Sequence, residues 1–99
     1  MRRARVDANQ PEIVDAFRKM GAYVFHVHTI PNGCDVIICY LGVTVAVEIK
    51  DGSRPPSERK LTEGEEKFMI GWTGVGGKWA KVESIEDAKG LIESIREHS

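Results

Sequence analysis

Asp35, Glu48 and Lys50 are the residues of this sequence whose types and spacing favour chemistry. They lie in two apolar, β-branched segments, residues 34–41 and 43–50, which predict a tight antiparallel hairpin. Continuing the pairing outward from the central turn places Asp35 directly opposite Glu48, and Lys50 follows on the same face. Opposed carboxylates repel one another, and a divalent cation between them reverses the sign of that interaction. The hairpin therefore predicts a metal site with an ammonium group beside it.

Such a site suits hydrolysis of a phosphodiester. Carboxylate oxygens suit Mg²⁺ or Mn²⁺, and Mg²⁺ is commonly held by one or two protein carboxylates together with waters and substrate phosphates. Lys50 could orient or deprotonate the attacking water, or neutralise charge that develops on the phosphate oxygens, and the spacing does not choose between these roles. The competing interpretation is a weak surface ion pair between Glu48 and Lys50, with Asp35 capping the turn after Asn32-Gly33.

The opposite face of the hairpin is wholly apolar and is therefore predicted to be the core side. It comprises Val36, Ile38, Tyr40, Val43, Val45, Val47 and Ile49. Asp35, Glu48 and Lys50 are then expected on a polar face.

The segments before the hairpin and directly after it are predicted to be a helix, a strand and a loop. Apolar residues at helical spacing predict a helix over 9–20, with Asn9 as its N-cap and Glu12 completing a capping box. Alternation predicts a strand over 22–28. Residues 51–60 contain glycine and two prolines and are expected to form an exposed loop.

A helix, a strand and a last helix complete the chain. Thr62 and Glu65 repeat the capping-box spacing and predict a helix to about Trp72. A short strand follows over 78–82, and Ser84 opens the last helix. The order αβββαβα predicts an α+β fold with a mixed central sheet flanked by helices.

Composition limits the size of the protein and its mode of binding. The 99 residues suffice for one small domain, 1–99, so any site must be shallow and lie at an edge. With 14 Lys and Arg against 15 Asp and Glu, the net charge of −1 excludes a histone-like polycation. Arg2, Arg3 and Arg5 crowd the start and are interpreted as a solvated basic terminus.

Cysteine usage and hydropathy indicate the compartment. Cys34 and Cys39 have no second pair with which to complete a zinc site, so both are predicted to be buried free thiols. No apolar stretch of signal-peptide length opens the sequence, and the longest apolar run, 36–41, is too short to span a bilayer. We expect a soluble, cytoplasmic protein with no membrane partner.

The same residues resemble a known family. Asp35 after Asn32-Gly33-Cys34, followed further on by Glu48-Ile49-Lys50, resembles the PD-(D/E)XK nuclease signature, and the whole sequence resembles the stand-alone phage-type VRR-NUC domains. The further matching segments are Arg5-Val-Asp-Ala-Asn9, Lys50-Asp-Gly-Ser-Arg-Pro-Pro56, Lys60-Leu-Thr62 and Val82-Glu-Ser-Ile-Glu-Asp87.

The resemblance implies a metal-dependent nuclease with a restriction-endonuclease-like core, related to archaeal junction resolvases. By this resemblance Asp35 and Glu48 ligate Mg²⁺ or Mn²⁺ together with the Ile49 carbonyl oxygen, and Lys50 is the catalytic lysine. It also implies that Glu12 approaches the metal from the first helix, with the capping-box bond as the alternative for that residue. The implied activity is endonucleolytic cleavage of DNA, with branched DNA such as a four-way junction as a candidate substrate and 5′-phosphate and 3′-hydroxyl product ends.

Residues beside the proposed metal site are candidates for further roles. Arg54, Arg59 and Lys60 are predicted to contact the phosphate backbone, because their loop leaves the hairpin directly after Lys50. A domain of this size contacts one scissile strand, so symmetric cleavage of a junction requires a homodimer. His28 shares a predicted strand face with His26 and is an accessory candidate, although such pairs are more often polar surface.

The sequence departs from the family pattern at two positions. No proline precedes Asp35, and Glu65 stands where members often carry glutamine. Glu65 could join a second metal, point away, or cap its helix, and the cap is the favoured role. Two other classes of function stay open: a catalytically inactive nuclease-fold module that binds DNA or assembles, and a structural interaction domain without a role on nucleic acid.

Overall fold

A computed structural model describes residues 7–99, so Arg2, Arg3, Arg5 and Val6 lie outside the described residues. The helices and strands are α1 (Gln10–Lys19), β1 (Tyr23–His26), β2 (Val36–Tyr40), β3 (Val43–Ile49), α2 (Glu63–Gly74), β4 (Lys78–Val82) and α3 (Ile85–Glu97), with a short 3₁₀ turn at Pro56–Glu58. The strands form one sheet in the order β1-β2-β3-β4, in which only β3 and β4 are parallel. The predicted mixed α+β fold is confirmed.

The hairpin has the predicted register. Tyr40 pairs with Val43 and Val36 pairs with Val47, with the intervening residues in step. Leu41 and Gly42 form the connecting turn with φ angles of 50° and 77°, the left-handed conformations that a two-residue hairpin turn requires.

One face of the sheet carries the hydrophobic core. Ile13 and Phe17 of α1 and Ile92 of α3 are almost completely buried against it. On the sheet side, the predicted core residues Val36, Ile38, Val45, Val47 and Ile49 are buried, while Tyr40 and Val43 beside the turn are partly buried. The predicted core face of the hairpin is therefore confirmed.

Helix α2 lies on the second face of the sheet. It connects the parallel strands β3 and β4, a connection that must cross over one face of the sheet. An ion pair between Lys50 and Glu65 places the start of α2 over the end of β3. As a result Ala46 and Glu48 are 0% and 3% exposed, so the competing interpretation of Glu48 as one half of a surface ion pair is wrong.

The second face of β1 and β2 is left uncovered. Tyr23 and Phe25 are 72% and 59% exposed. The same position on the sheet explains the two cysteines: Cys34 is buried as expected, whereas Cys39 is exposed because it lies on the uncovered side of β2. Within the part of the chain that the structure describes, no helix is long and apolar enough to cross a bilayer.

Candidate metal-binding site

Backbone pairing at the ends of β2 and β3 holds Asp35 against Glu48. Asp35 directly precedes β2, and its backbone N–H donates to the Val47 carbonyl at 3.1 Å. Its carboxylate Oδ2 accepts a hydrogen bond of 2.7 Å from the Ile49 N–H, which turns the side chain towards β3. There the carboxyl groups of Asp35 and Glu48 lie close enough for each to shift the pKa of the other. The two acids therefore lie together on one side of the sheet.

Lys50 lies beside this pair and is held from α2. Its Nζ is 2.8 Å from Glu65 Oε1 and 3.8 Å from Glu48 Oε2. The same Glu65 oxygen accepts the Thr62 N–H at 2.9 Å, while Thr62 Oγ1 accepts the Glu65 N–H at 3.2 Å, completing the predicted capping box. Glu65 thus caps its helix and also fastens Lys50, so it does not point away from the site.

Burial sets the protonation of the two acids. Burial raises the pKa of Glu48 far above the ordinary glutamate range, and the negative charges of Asp35 and Glu65 raise it further. Burial also raises the pKa of Asp35, although the hydrogen bond from the Ile49 N–H opposes the shift. The pair consequently retains a proton at neutral pH where free carboxyl groups would have lost theirs.

Lys50 and Glu65 form a charged pair. Burial alone would lower the pKa of Lys50, but its hydrogen bond to Glu65 and the charges of Glu65 and Glu48 outweigh burial and raise it. For Glu65, burial would raise the pKa, but the hydrogen bonds from Lys50 and from the Thr62 N–H lower it. Lys50 is therefore an ammonium group at neutral pH, which favours charge neutralisation over proton abstraction as its role.

The donor set fits a hard divalent cation with open coordination positions. Two neighbouring carboxyl groups that shift each other's pKa can hold a cation between them, and carboxylate oxygens are ligands that Mg²⁺ and Mn²⁺ prefer. Among residues 7–99, no three His, Cys, Asp or Glu side chains form a complete cage. An ion held here would keep positions free for water and substrate.

Asp7 is a further acid near this site that the sequence reasoning overlooked. Its negative charge adds to burial in raising the pKa of Asp35, and it adds to the hydrogen bond from Lys50 to Glu65 in raising the pKa of Lys50. It lies in the Arg5-Val-Asp-Ala-Asn9 segment, so the signal was present, but the acidic role was assigned to Glu12.

Glu12 faces away from the protein interior and has no contact with Asp35 or Glu48 among its described contacts. Gln10 and Ile13 turn towards the protein interior and are 3% and 0% exposed, which leaves Glu12 on the outer side of α1. Glu12 instead lines a groove of about 630 Å³ together with Asp51 and Asp87. Its expected approach to the metal is therefore not found.

Asn9 holds the predicted N-cap position of α1, but its side chain links other elements and does not cap the helix. Its side chain makes no capping bond; its Nδ2 donates to the Lys50 carbonyl at 3.1 Å and to the Glu83 carbonyl at 3.2 Å. The amide therefore joins the start of α1 to the residues that directly follow β3 and β4. The bond to the Lys50 carbonyl also holds the peptide group between Lys50 and Asp51 in place.

Replacing Asn9 by aspartate is expected to lower the free energy of unfolding by about 1–3 kcal/mol, because an acceptor then faces two carbonyl oxygens. Urea unfolding of Asn9→Asp and Asn9→Ala measures the loss. If Asn9 were a helix cap, Asn9→Asp would be neutral or stabilising, since aspartate caps well and its charge suits a helix N-terminus. A stable Asn9→Asp variant would therefore contradict the linking role.

The predicted phosphate-binding residues differ in their surroundings. Arg59 makes its hydrogen bonds within the protein: its guanidinium donates to Glu83 at 3.1 Å and to the Arg54 carbonyl at 2.8 Å. The Arg54 side chain is 59% exposed and lies 3.4 Å from Glu58, and Lys60 is exposed. Arg54 and Lys60 thus present positive charge to solvent, whereas Arg59 holds the loop that follows Lys50.

The described ring contact of His28 is with His26 and not with Asp35 or Glu48. Its ring is edge-on to His26 at a centroid distance of 6.0 Å, and its buried Nδ1 has no hydrogen-bond partner among the described residues. These contacts assign it no role in holding a cation.

Comparison with known proteins agrees with the fold. No protein-family model matches the sequence, and no curated protein matches it either. A solved structure described as a VRR_NUC domain superimposes with a TM-score of 0.65 at 20% identity, covering 85% of this chain and 89% of that chain. The chain has the fold of a VRR_NUC domain.

Proposed function

We propose that this protein is a Mg²⁺- or Mn²⁺-dependent endodeoxyribonuclease acting as a single nuclease domain. The observation that carries the proposal is that the Asp35 and Glu48 carboxyl groups lie close enough for each to shift the pKa of the other, with the Lys50 ammonium 3.8 Å from Glu48. A structural hairpin gains nothing from burying two acids together, because each carries a desolvation penalty. The VRR_NUC fold supports the same conclusion.

The residues of the site divide into ligands and a charge-stabilising group. Asp35, Glu48 and the Ile49 carbonyl oxygen would hold the cation. When bound, the cation would polarise the phosphate and activate a water molecule for hydrolysis. Lys50, fixed at 2.8 Å from Glu65, would stabilise negative charge on the phosphate oxygens through its ammonium group.

Arg54 and Lys60 would hold the DNA backbone beside this site. Both are exposed on the loop that leaves β3 after Lys50, and positive side chains on a loop position phosphates without reading sequence. Because the net charge is −1, affinity would rest on such local charges and fall as salt is added. Branched DNA is the proposed substrate class, cleaved symmetrically by a homodimer.

Cleavage assays on linear duplex, single-stranded, flap and four-way DNA with Mg²⁺, Mn²⁺ or chelator test the proposal. We expect metal-dependent cleavage that leaves 5′-phosphate ends and is strongest on branched DNA. Binding without cleavage under every metal condition would favour the inactive-module alternative, in which the Glu65 ion pair keeps Lys50 from substrate. A protein that neither binds nor cleaves any of these DNAs would overturn the proposal.

A further inference from the structure

We propose that the groove between the β1–β2 connection and the first turns of α2 binds an unstacked nucleobase of the DNA strand. We call it the α2 groove; its volume is about 460 Å³, and it is lined by Asn32, Glu63, Gly64, Lys67 and Phe68. The inference rests on the proposed function, because it adds a subsite beside the proposed metal site. The base would bind by stacking on Phe68, a contact that requires neither metal nor cleavage.

The α2 groove adjoins the proposed metal site. Glu65 and Phe68 are three residues apart and therefore project from the same side of α2, with Phe68 about 4.5 Å further along the helix axis. Glu65 reaches Lys50 at 2.8 Å, so Phe68 lies about one helical turn beyond the residue that holds the lysine. Another wall is formed by Asn32, which precedes Asp35 by only three residues. A strand with a phosphate at Lys50 therefore brings a neighbouring nucleotide to the groove.

A firmly held aromatic surface lies in this groove. The rings of Phe68 and Trp72 are stacked, with their centroids 5.4 Å apart and an angle of 25° between their planes. Trp72 Nε1 donates to the Lys78 carbonyl at 2.7 Å, and the indole packs so closely on Gly77 that an added Cβ there would lie 2.5 Å from it. Phe68 is half-buried on this support and lines the groove. Any nucleobase can stack on such a ring, because every base has a π face.

Asn32 supplies an amide that can pair with the edge of the base. Its φ of 58° is in the left-handed region, and its side chain lies against Gly64, where a Cβ would collide with Asn32 Oδ1. Asn32 is exposed, and within residues 7–99 its side chain has no hydrogen-bond partner. An amide offers both donors and an acceptor, and the edges of bases present both kinds of group. The groove therefore combines a stacking surface with a polar contact.

Charge favours a base over a phosphate in the α2 groove. Lys67 and Glu63 are the charged residues that line it, and they pair with each other at 3.7 Å. Their charges offset, so a phosphate would gain no net attraction there, whereas an uncharged ring finds an apolar surface and an amide. A base inside a duplex is already stacked and paired. The groove therefore favours DNA with unpaired nucleotides beside the scissile phosphate.

Fluorescence anisotropy in chelator at low salt tests the groove with two single strands of equal length. One strand is made of thymidines and the other of abasic nucleotides, so the two carry the same phosphates and differ only in their bases. Wild type is expected to bind the thymidine strand about 5-fold more tightly or better. Equal affinity for the two strands, or no binding of either, would overturn the inference.

Variants of Phe68 assign the preference for bases to the groove. Phe68→Leu keeps an apolar side chain without a stacking face and is expected to reduce the preference to about 2-fold or less, whereas Phe68→Tyr keeps the ring and the preference. Ile70→Ala is the matched control, since Ile70 is 60% exposed on α2 and is not among the residues that line the groove. Circular dichroism checks the fold of each variant. A folded Phe68→Leu protein with the full preference would overturn the inference.

The outcome for the groove is separate from the outcome for the proposed function. The binding assays contain no metal and measure no cleavage, so a protein that cleaves nothing can still show a preference for bases that depends on Phe68. Conversely, metal-dependent cleavage by a protein that binds the two strands equally would support the nuclease and reject the base subsite.

Discussion

Replacing Glu48 by glutamine is expected to lower metal-dependent DNA cleavage by about 10³-fold or more, because it removes a carboxylate ligand from the pair with Asp35. The metal-free protein should lose no stability. Glu48 is 3% exposed and its carboxyl is protonated at neutral pH, so a neutral amide of the same shape carries the same charge. Cleavage rates and urea unfolding in chelator measure the two effects.

Glu83→Gln is the matched control for this substitution. Glu83 is partly buried, but it pairs with Arg59 at 3.1 Å, supports the loop after Lys50 and is not part of the acid pair. Its replacement should cost some stability and leave most of the cleavage. Wild-type cleavage that survived Glu48→Gln would remove Glu48 from the site.

The pH dependence of the free energy of unfolding distinguishes wild type from Glu48→Gln. The pKa of Glu48 is raised on folding from its ordinary value of 4.5 to about 10. The folded state therefore binds a proton that the unfolded state releases, so this contribution is complete below pH 4.5 and is lost as pH rises towards 10. Metal-free wild type should lose stability between about pH 6 and about pH 9 relative to Glu48→Gln. Equal pH profiles would contradict a buried, protonated Glu48.

Features governed by neighbouring residues were predictable from the sequence. The turn at Leu41-Gly42 fixes the hairpin register, because the side-chain period of a strand is two and a slip by one residue would expose the apolar face. The capping box of Thr62 and Glu65 follows from spacing alone. The opposition of Asp35 and Glu48 is a consequence of the same register.

Features governed by contacts distant in sequence were not predictable. Glu48 looks solvent-facing on an isolated hairpin, and it is buried only because α2 crosses back over the end of β3. Asn9 has the sequence of a helix cap, yet its side chain bonds to Lys50 and Glu83, which are 41 and 74 residues away. Local sequence patterns predict which face of a strand or helix an acidic residue lies on. Which acidic side chains come together in the folded protein depends on how the elements pack.

Replacing Lys50 by methionine is expected to lower the cleavage rate by about 10²–10³-fold while leaving divalent cations able to bind, because it removes charge stabilisation and no ligand. Single-turnover rates and Mn²⁺ titration separate the two effects. Lys81→Met is the control, since Lys81 lies beside Glu48 on the neighbouring strand and pairs with Glu83 at 3.4 Å. An equal loss in both variants would indicate a general effect of charge and not a specific role for Lys50.

The two contacts of Glu65 show whether the position of Lys50 matters as much as its charge. Glu65→Ala removes both the hold on Lys50 and half of the capping box, whereas Thr62→Ala removes only capping, which is worth about 1 kcal/mol. Glu65→Gln keeps an acceptor for both donors. If Glu65 positions the lysine, cleavage falls with Glu65→Ala, returns with Glu65→Gln and survives Thr62→Ala. A parallel loss in Glu65→Ala and Thr62→Ala would reduce Glu65 to a helix cap.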